Sequence, residues 1–331
     1  MKLLSTTLLV IALSGCTGMQ ASNPVASVLV DLDPASTERT MIVESITADR
    51  AGVLYLPDRV TGHILRVDPK SPKPVVVAKV ESRMVDGKKV DALPGGISFD
   101  AQGDLYVAAG PFGEVMRIKG ADLNPAKPGV AQTFATGVPG ANGIAFDKQG
   151  NLYISGGASG IVYRAAPSGG AAQAAAQIDK NVRTLPDGKA TQAIVANGLK
   201  FDAAGVLHVA DTSRGAVWRV VIGADGKGGK PALLAQSPLL EGADDMAFNS
   251  NGDLWMAVNE LNAVVAISPA GVVKTIVKND SKGPLEFPSA IVFVGKTAYV
   301  SNFDVPRRDN LDTNGTTAKD GVGASVAQIT Q

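Results

Sequence analysis

The 331-residue sequence has one cysteine and two histidines, His63 and His208. A single cysteine excludes an intrachain disulfide and a Cys-based zinc site. Two histidines leave no His-rich metal site and little scope for a histidine relay. Charge is also scarce: Asp, Glu, Lys and Arg make up 19% of the chain, below the usual ~25%. Lys+Arg and Asp+Glu are both 31, so the net charge is zero. The basic footprint that nucleic-acid binding needs is missing. No GxSxG elbow, P-loop, HExxH or dinucleotide fingerprint occurs. Present in quantity are apolar residues, at 45%, and glycine, at 37 residues and above its usual share of ~7%. The first supplies a packed core. The second supplies tight turns, and hence many short strands.

The N-terminus reads as an address. Residues 1–16 are MKLLSTTLLVIALSGC, with Lys2 ahead of an apolar run over 3–13. That run is too short for a permanent membrane span. Its end, Leu13-Ser14-Gly15-Cys16, resembles a bacterial lipobox. The resemblance implies that residues 1–15 are a signal peptide and that Cys16 is lipidated and becomes the mature N-terminus. Its thiol is then blocked. Residues 16–25 are expected to form a short lipidated tether. The membrane is met through the lipid alone, in the cell envelope, on the periplasmic face of the outer membrane if the host is Gram-negative.

Beyond the tether a pattern repeats six times. A small-Gly-aliphatic segment ends in Phe-Asp; a Gly turn, Leu-Tyr-Val and a third apolar strand follow. The copies start at 44, 95, 142, 197, 244 and 289, spaced 51, 47, 55, 47 and 45 residues apart. A period of ~40–50 residues with about four short strands per unit predicts β-propeller blades. Fourth strands are expected at, for example, 132–135 and 272–277. The sixth copy breaks off at Asp304, and a polar stretch precedes a third strand at 324–329. The unassigned apolar strand at 25–32 is expected to supply the missing one, closing the ring over 26–331 and covering an open edge. The fold class is thus all-β: one six-bladed propeller of four antiparallel strands per blade, expected as a monomer. The low-complexity stretch at 165–177 reads as a loop between blades three and four. Asn310-x-Asp312-x-Asn314-Gly315 opens like a calcium loop, but Gly321 stands where the bidentate Glu belongs. It reads as a solvated insertion.

Equivalent positions in six blades have equivalent surroundings, so a column of one chemical type reads as structural. Ala48, Phe99, Phe146, Phe201, Phe248 and Phe293 form a packing column. Tyr55, Tyr106, Tyr153, His208, Trp255 and Tyr299 form a second, which makes His208 an occupant of an aromatic slot. His63 falls in a variable column at the start of a third strand and reads as surface. Arg66, Arg117, Arg164 and Arg219 read as a repeated blade contact. The column at the start of the innermost strands is different: Glu44, Gly95, Asn142, Asn197, Asp244 and Ser289. Inner strands run side by side around the axis, so this column forms a ring at one channel mouth. Two carboxylates and two amides there offer oxygen-only ligands and a charge of −2. That suits a hard divalent cation, Ca²⁺ first, then Mg²⁺ or Mn²⁺, with Zn²⁺ less favoured by ligand type. Such an ion can polarise a carbonyl and acidify water. A lactone or ester would then be the substrate, with Asp244 as ligand or proton acceptor.

The set Glu44, Asn142, Asn197 and Asp244, in the settings Val43-Glu44-Ser45, Asn197-Gly198-Leu199 and Asp244-Asp245-Met246, resembles the SMP-30/gluconolactonase/LRE-like family. The resemblance implies a six-bladed propeller that hydrolyses lactones or related esters with a metal held by these four residues. It further implies that Asp244 is the catalytic base. Sugar lactonases of the family usually carry Arg and Asp where this sequence has Gly140 and Gly143. Asp245 resembles the polar residue that follows the metal Asp in paraoxonase-like propellers, which implies an extra ligand or a supporting group. A strictosidine-synthase-like reading would need a Glu on the sixth blade, where Ser289 stands. A non-enzymatic, lipid-anchored propeller acting as a binding scaffold is the alternative, since fold alone does not fix function.

Overall fold

A computed structural model describes residues 24–34, 40–180, 183–185, 188, 190–304 and 322–330. Six sheets follow one another around a central channel. Blade one is Thr47–Ala48, Leu54–Pro57, His63–Asp68 and Ser71–Lys79; blade two is Pro94–Phe99, Leu105–Ala109, Glu114–Ile118 and Gln132–Thr136. Blade three is Ile144–Phe146, Leu152–Ser155, Ile161–Ala165 and Gln173–Gln177; blade four is Leu199–Phe201, Val206–Asp211, Ala216–Val221 and Ala232–Gln236. Blade five is Ala243–Phe248, Leu254–Val258, Ala263–Ile267 and Val273–Lys278. Blade six joins Pro288–Val294, Thr297–Asn302 and Ser325–Thr330 to the N-terminal strand Val25–Asp31. That strand pairs antiparallel with the last one, from Val25↔Thr330 to Asp31↔Ser325, so the expected closure is what the fold uses.

The repeat motif explains the turns. After each inner strand of blades one to five, Asp49, Asp100, Asp147, Asp202 or Asn249 accepts a main-chain N–H four residues on, at 2.8–3.0 Å. The glycine three residues after each of them has φ between +82° and +90°, which a side chain would strain.

Packing between blades follows the aromatic columns. Tyr55 meets Phe99 of the next blade edge-on at 4.9 Å, and the pairs Tyr106–Phe146, Tyr153–Phe201, His208–Phe248 and Trp255–Phe293 repeat this at 4.9–5.3 Å. Such pairs add ~0.5–1.5 kcal/mol beyond area burial. Six hydrophobic clusters, one per blade junction, close the circle. The arginine column is structural as expected: Arg66, Arg117, Arg164 and Arg219 sit opposite Tyr55, Tyr106, Tyr153 and His208.

Three expectations need correction. The stretch 165–177 is not a free loop: Gln173–Gln177 is the outer strand of blade three, and Gly170–Ala171 pairs parallel with blade two. Its alanines and glycines carry no alternating pattern because an outer strand faces solvent. Blade one likewise gains a parallel segment, Gly129–Val130, so two sheets have five members. Both additions cover strand edges that would otherwise stay unpaired. Val25, given by the sequence both to the tether and to the strand at 25–32, belongs to the strand. Cys16 and the stretch 310–321 lie outside the described residues.

His208 is buried and its Nδ1 lies 3.2 Å from the Val206 carbonyl. Burial pushes its pKa below the usual imidazole value of 6.5; Arg219 acts the same way, and Asp202 and the Val206 carbonyl act against it. The unfolded chain therefore takes up the proton first as pH falls. Stability is held above about pH 6.5 and lost as pH falls through the folded-state pKa. His208→Phe should flatten this part of the melting-temperature profile without unfolding the protein. An unchanged acid slope in that variant would refute the assignment.

Candidate functional site

Inner strands start at the channel mouth and run away from it, so second strands end there. The ring residues are therefore approached by the residues that follow the second strand of the same blade. In blade five, Asn259 Nδ2 donates to Asp244 Oδ2 at 3.1 Å, and Gln192 Nε2 donates to Asn259 Oδ1 at 3.0 Å and to Glu260 Oε1 at 2.9 Å. In blade four, Asn197 Nδ2 donates to Thr212 Oγ1 at 2.9 Å, and Thr212 donates to the Ala243 carbonyl at 2.6 Å. In blade three, Ser155 Oγ accepts the Gly143 N–H at 2.7 Å. In blade one, Arg59 Nη1 contacts Glu44 Oε2 directly.

The position of Arg59 is fixed by its main chain. Val43 and Asp58 form a β-bridge, and Arg59 N–H donates to the Ile42 carbonyl at 2.9 Å. The buried Asp58 carboxylate accepts the N–H groups of Ile42 at 3.2 Å and Val60 at 3.0 Å. One anchor thus holds both the Glu44 segment and the Arg59 segment.

Arg59, Thr212, Asn259 and Phe303 each stand four residues after the aromatic of their second strand. Gly110 and Gly157 hold the same position in blades two and three, so this column mixes polar, aromatic and glycine residues.

Asn197 and Asp244 are both buried, each held by its own partner, Thr212 and Asn259. Burial, and then the like charge of Asp245, raise the Asp244 carboxyl well above the ordinary carboxylate range; Asn259, Asn197 and Arg59 act against them. Burial also lowers the pKa of Arg59, and the Asp244 charge opposes this. Asn142 is held by its main chain: its carbonyl accepts the Gly96 N–H at 3.0 Å, and its N–H donates to the Ser155 carbonyl at 3.0 Å. Ser289 is fully buried and turns its hydroxyl into its own blade, 3.1 Å from Ser301 Oγ. Asp245 lies apart from the Asn259 contact. Its Oδ1 accepts the Met246 N–H at 2.8 Å, and Lys200 is the cation acting on it. His63 is half-buried on the third strand of blade one, opposite Lys79.

Glycines beside the ring are there for space. A Cβ on Gly96 would lie 2.3 Å from the Asn142 carbonyl oxygen, and one on Gly143 would lie 2.5 Å from that of Asn197. One on Gly198 would lie 2.6 Å from the Asp244 carbonyl oxygen. Neighbouring inner strands touch backbone to backbone at this level. The same contact leaves no room for an Asp at position 143.

As donors, two carboxylates and two amides fit a hard divalent cation. Among the described residues no three His, Cys, Asp or Glu side chains cluster; the ring contains only two such groups. The Asn197 amide spends its Nδ2 on Thr212, which leaves Oδ1 as the atom suited to ligation. The buried carboxylate of Asp244 also favours a cation nearby.

The family model for the SMP-30/gluconolactonase/LRE-like region matches residues 42–302. The chain belongs to this family. Among solved structures it is similar to a luciferin-regenerating enzyme, at 16% identity and a TM-score of 0.66, covering 93% of this chain and 95% of that one. It is also similar to a gluconolactonase from Xanthomonas campestris, at 16% identity and a TM-score of 0.64, covering 92% and 89%. A calcium-binding protein, regucalcin, from Agrobacterium tumefaciens matches at 17% identity and a TM-score of 0.63, covering 91% and 93%. At these identities the likeness establishes the six-bladed fold. No curated protein matches the chain.

Proposed function

We propose that the protein is a metal-dependent hydrolase of lactones or related esters, with Glu44, Asn142, Asn197 and Asp244 as the residues that would hold the ion. The observation that carries this reading is that two ring residues, Asn197 and Asp244, are both buried and each has a dedicated support, Thr212 and Asn259. A packing role alone would not call for two polar side chains buried and separately supported at a channel mouth. Membership of a family that includes gluconolactonases supports the reaction class, and a calcium-binding relative supports Ca²⁺ as the ion. When bound, a divalent ion supplies Lewis acidity toward a carbonyl oxygen and a more acidic water.

The residues of this chain do the rest. Asp244, a carboxylate at the ring, is the group placed to take a proton from water as general base. Asn259 fixes one carboxylate oxygen of Asp244, and Gln192 in turn fixes Asn259. Asn197 is oriented by Thr212. No covalent nucleophile is required. A hydrolysis screen of lactones and aryl esters, with and without chelator, tests the proposal. Turnover of some substrate that chelator abolishes and Ca²⁺ or Mn²⁺ restores is the expected result. Turnover indifferent to chelator would refute the metal. No turnover across the screen, with an ion bound, would favour the scaffold reading.

The proposal extends to the cell envelope through Cys16. Val25 lies at the face opposite the mouth, because Val25–Asp31 runs toward the mouth alongside the strands of blade six. A lipid at Cys16 would be joined to the propeller at the strand end farthest from the ring. Mass analysis of the mature N-terminus tests the anchor; any terminus other than a lipidated Cys16 removes it.

A further inference from the structure

The mechanism above leaves Arg59 unused, although its guanidinium lies against a ring carboxylate. We propose that Arg59 is the resident counter-cation of the ring, and that its contact with Glu44 and a divalent ion held by Glu44 and Asp244 exclude each other. The inference rests on the metal-ring reading and deepens it by adding a built-in competitor.

Three observations carry it. First, Arg59 Nη1 touches Glu44 Oε2, so one oxygen of the proposed ligand is already engaged by a cation. Second, the contact is built rather than incidental. The main chain of residues 42–44 is paired to that of 58–59, and Asp58 pins both. Gly95 lies alongside the pair, where a Cβ would sit 3.3 Å from Glu44 Oε2 and 3.6 Å from Arg59 Nη1. Third, the guanidinium has another surface within reach. It stands 5.7 Å from the centre of the Phe303 ring on blade six, a position that a cation displaced from Glu44 can keep.

Electrostatics gives the sign. Two partly desolvated carboxylates carry −2, and a guanidinium offsets half of it. A divalent ion would offset all of it, and both cations together would put like charges side by side in a site of reduced dielectric. A guanidinium does not lose its proton at accessible pH, so deprotonation cannot relieve the competition. The ion must therefore displace Arg59, and its affinity is lowered by the strength of the contact it breaks.

The test is ion binding itself. Free Mn²⁺ is followed by electron paramagnetic resonance and Ca²⁺ by calorimetry, with purified wild-type protein and the Arg59→Gln, Arg59→Met, Arg59→Lys and Asp244→Asn variants. Arg59→Gln should bind either ion at least about ten-fold more tightly than wild type. Without metal it should melt at a lower temperature than wild type, because Glu44 loses the cation that contacts it. Millimolar Ca²⁺ should reverse that loss. Arg59→Lys should stay near wild type in affinity, since the charge remains. Arg59→Met keeps the apolar stem and serves the same comparison if the Gln variant does not fold. Equal or weaker binding by both neutral variants, with wild type binding the ion, would overturn the competitor while leaving the metal ring in place. Absence of binding in every protein at millimolar ion would overturn both.

Discussion

Asp244→Asn is expected to lower ion affinity and any chelator-sensitive hydrolysis by more than about 100-fold, beyond the 10–100-fold typical of residues that only support ligands. The fold should survive. Asparagine has the shape of aspartate, and its Oδ1 can still accept the Asn259 Nδ2 bond seen at 3.1 Å. The change also removes a buried charge beside Asp245, whose like charge disfavours the Asp244 carboxylate. Without metal the variant should therefore melt no lower than wild type. A dead, fully folded protein is the expected combination, and it separates a functional carboxylate from a structural one. Asn142→Ala should weaken ion binding less, because it removes a neutral dipole and leaves both ring carboxylates. Asn259→Ala should fall within the 10–100-fold range, because it acts through Asp244. If Asp244→Asn retains wild-type turnover of a chelator-sensitive substrate, the proposed mechanism is wrong.

Much of the ring was legible because blades repeat. Comparing six copies separates packing from chemistry without any homologue, and His208 is the clearest case. A lone histidine invites a catalytic reading, yet its column is Tyr, Tyr, Tyr, Trp and Tyr, and its ring meets Phe248 edge-on at 5.1 Å. Closure by the N-terminal strand was legible for a related reason: an unassigned apolar strand and a blade one strand short have only each other. Outer strands were harder to read. Residues 173–177 are Gln-Ala-Ala-Ala-Gln, and their place in blade three rests on main-chain pairing with Ile161–Ala165, which leaves no mark on side-chain pattern. Arg59 escaped because its repeat offset has glycine in two blades, Gly110 and Gly157, and phenylalanine in a third. A column that mixed looks like loop sequence until the loops are seen to converge on the ring.

Gly143→Ala is expected to destabilise the ring side of the propeller strongly. The glycine is not kept for a left-handed backbone, since its φ is not among the positive ones. Space is the reason: the added Cβ would lie 2.5 Å from the Asn197 carbonyl oxygen and 3.0 Å from Gly198 Cα. Both neighbours are main chain, so no rotamer change relieves the contact, and blades three and four must move apart at the axis. Overpacking of this kind costs about 1–3 kcal/mol, and a backbone-to-backbone clash belongs at the upper end. Because Asn197 sits on the displaced strand, ion binding should weaken together with the melting temperature. Gly229→Ala is the matched control. Its Cβ would meet nothing nearer than the Val221 carbonyl oxygen at 3.6 Å, and its φ is likewise not among the positive ones. That variant should melt within a degree or so of wild type or slightly above it, since alanine restricts the unfolded chain. Equal melting temperatures for the two variants would mean that the inner strands of blades three and four do not touch at this level. The ring of oxygen ligands built on that contact would then lose its geometric basis.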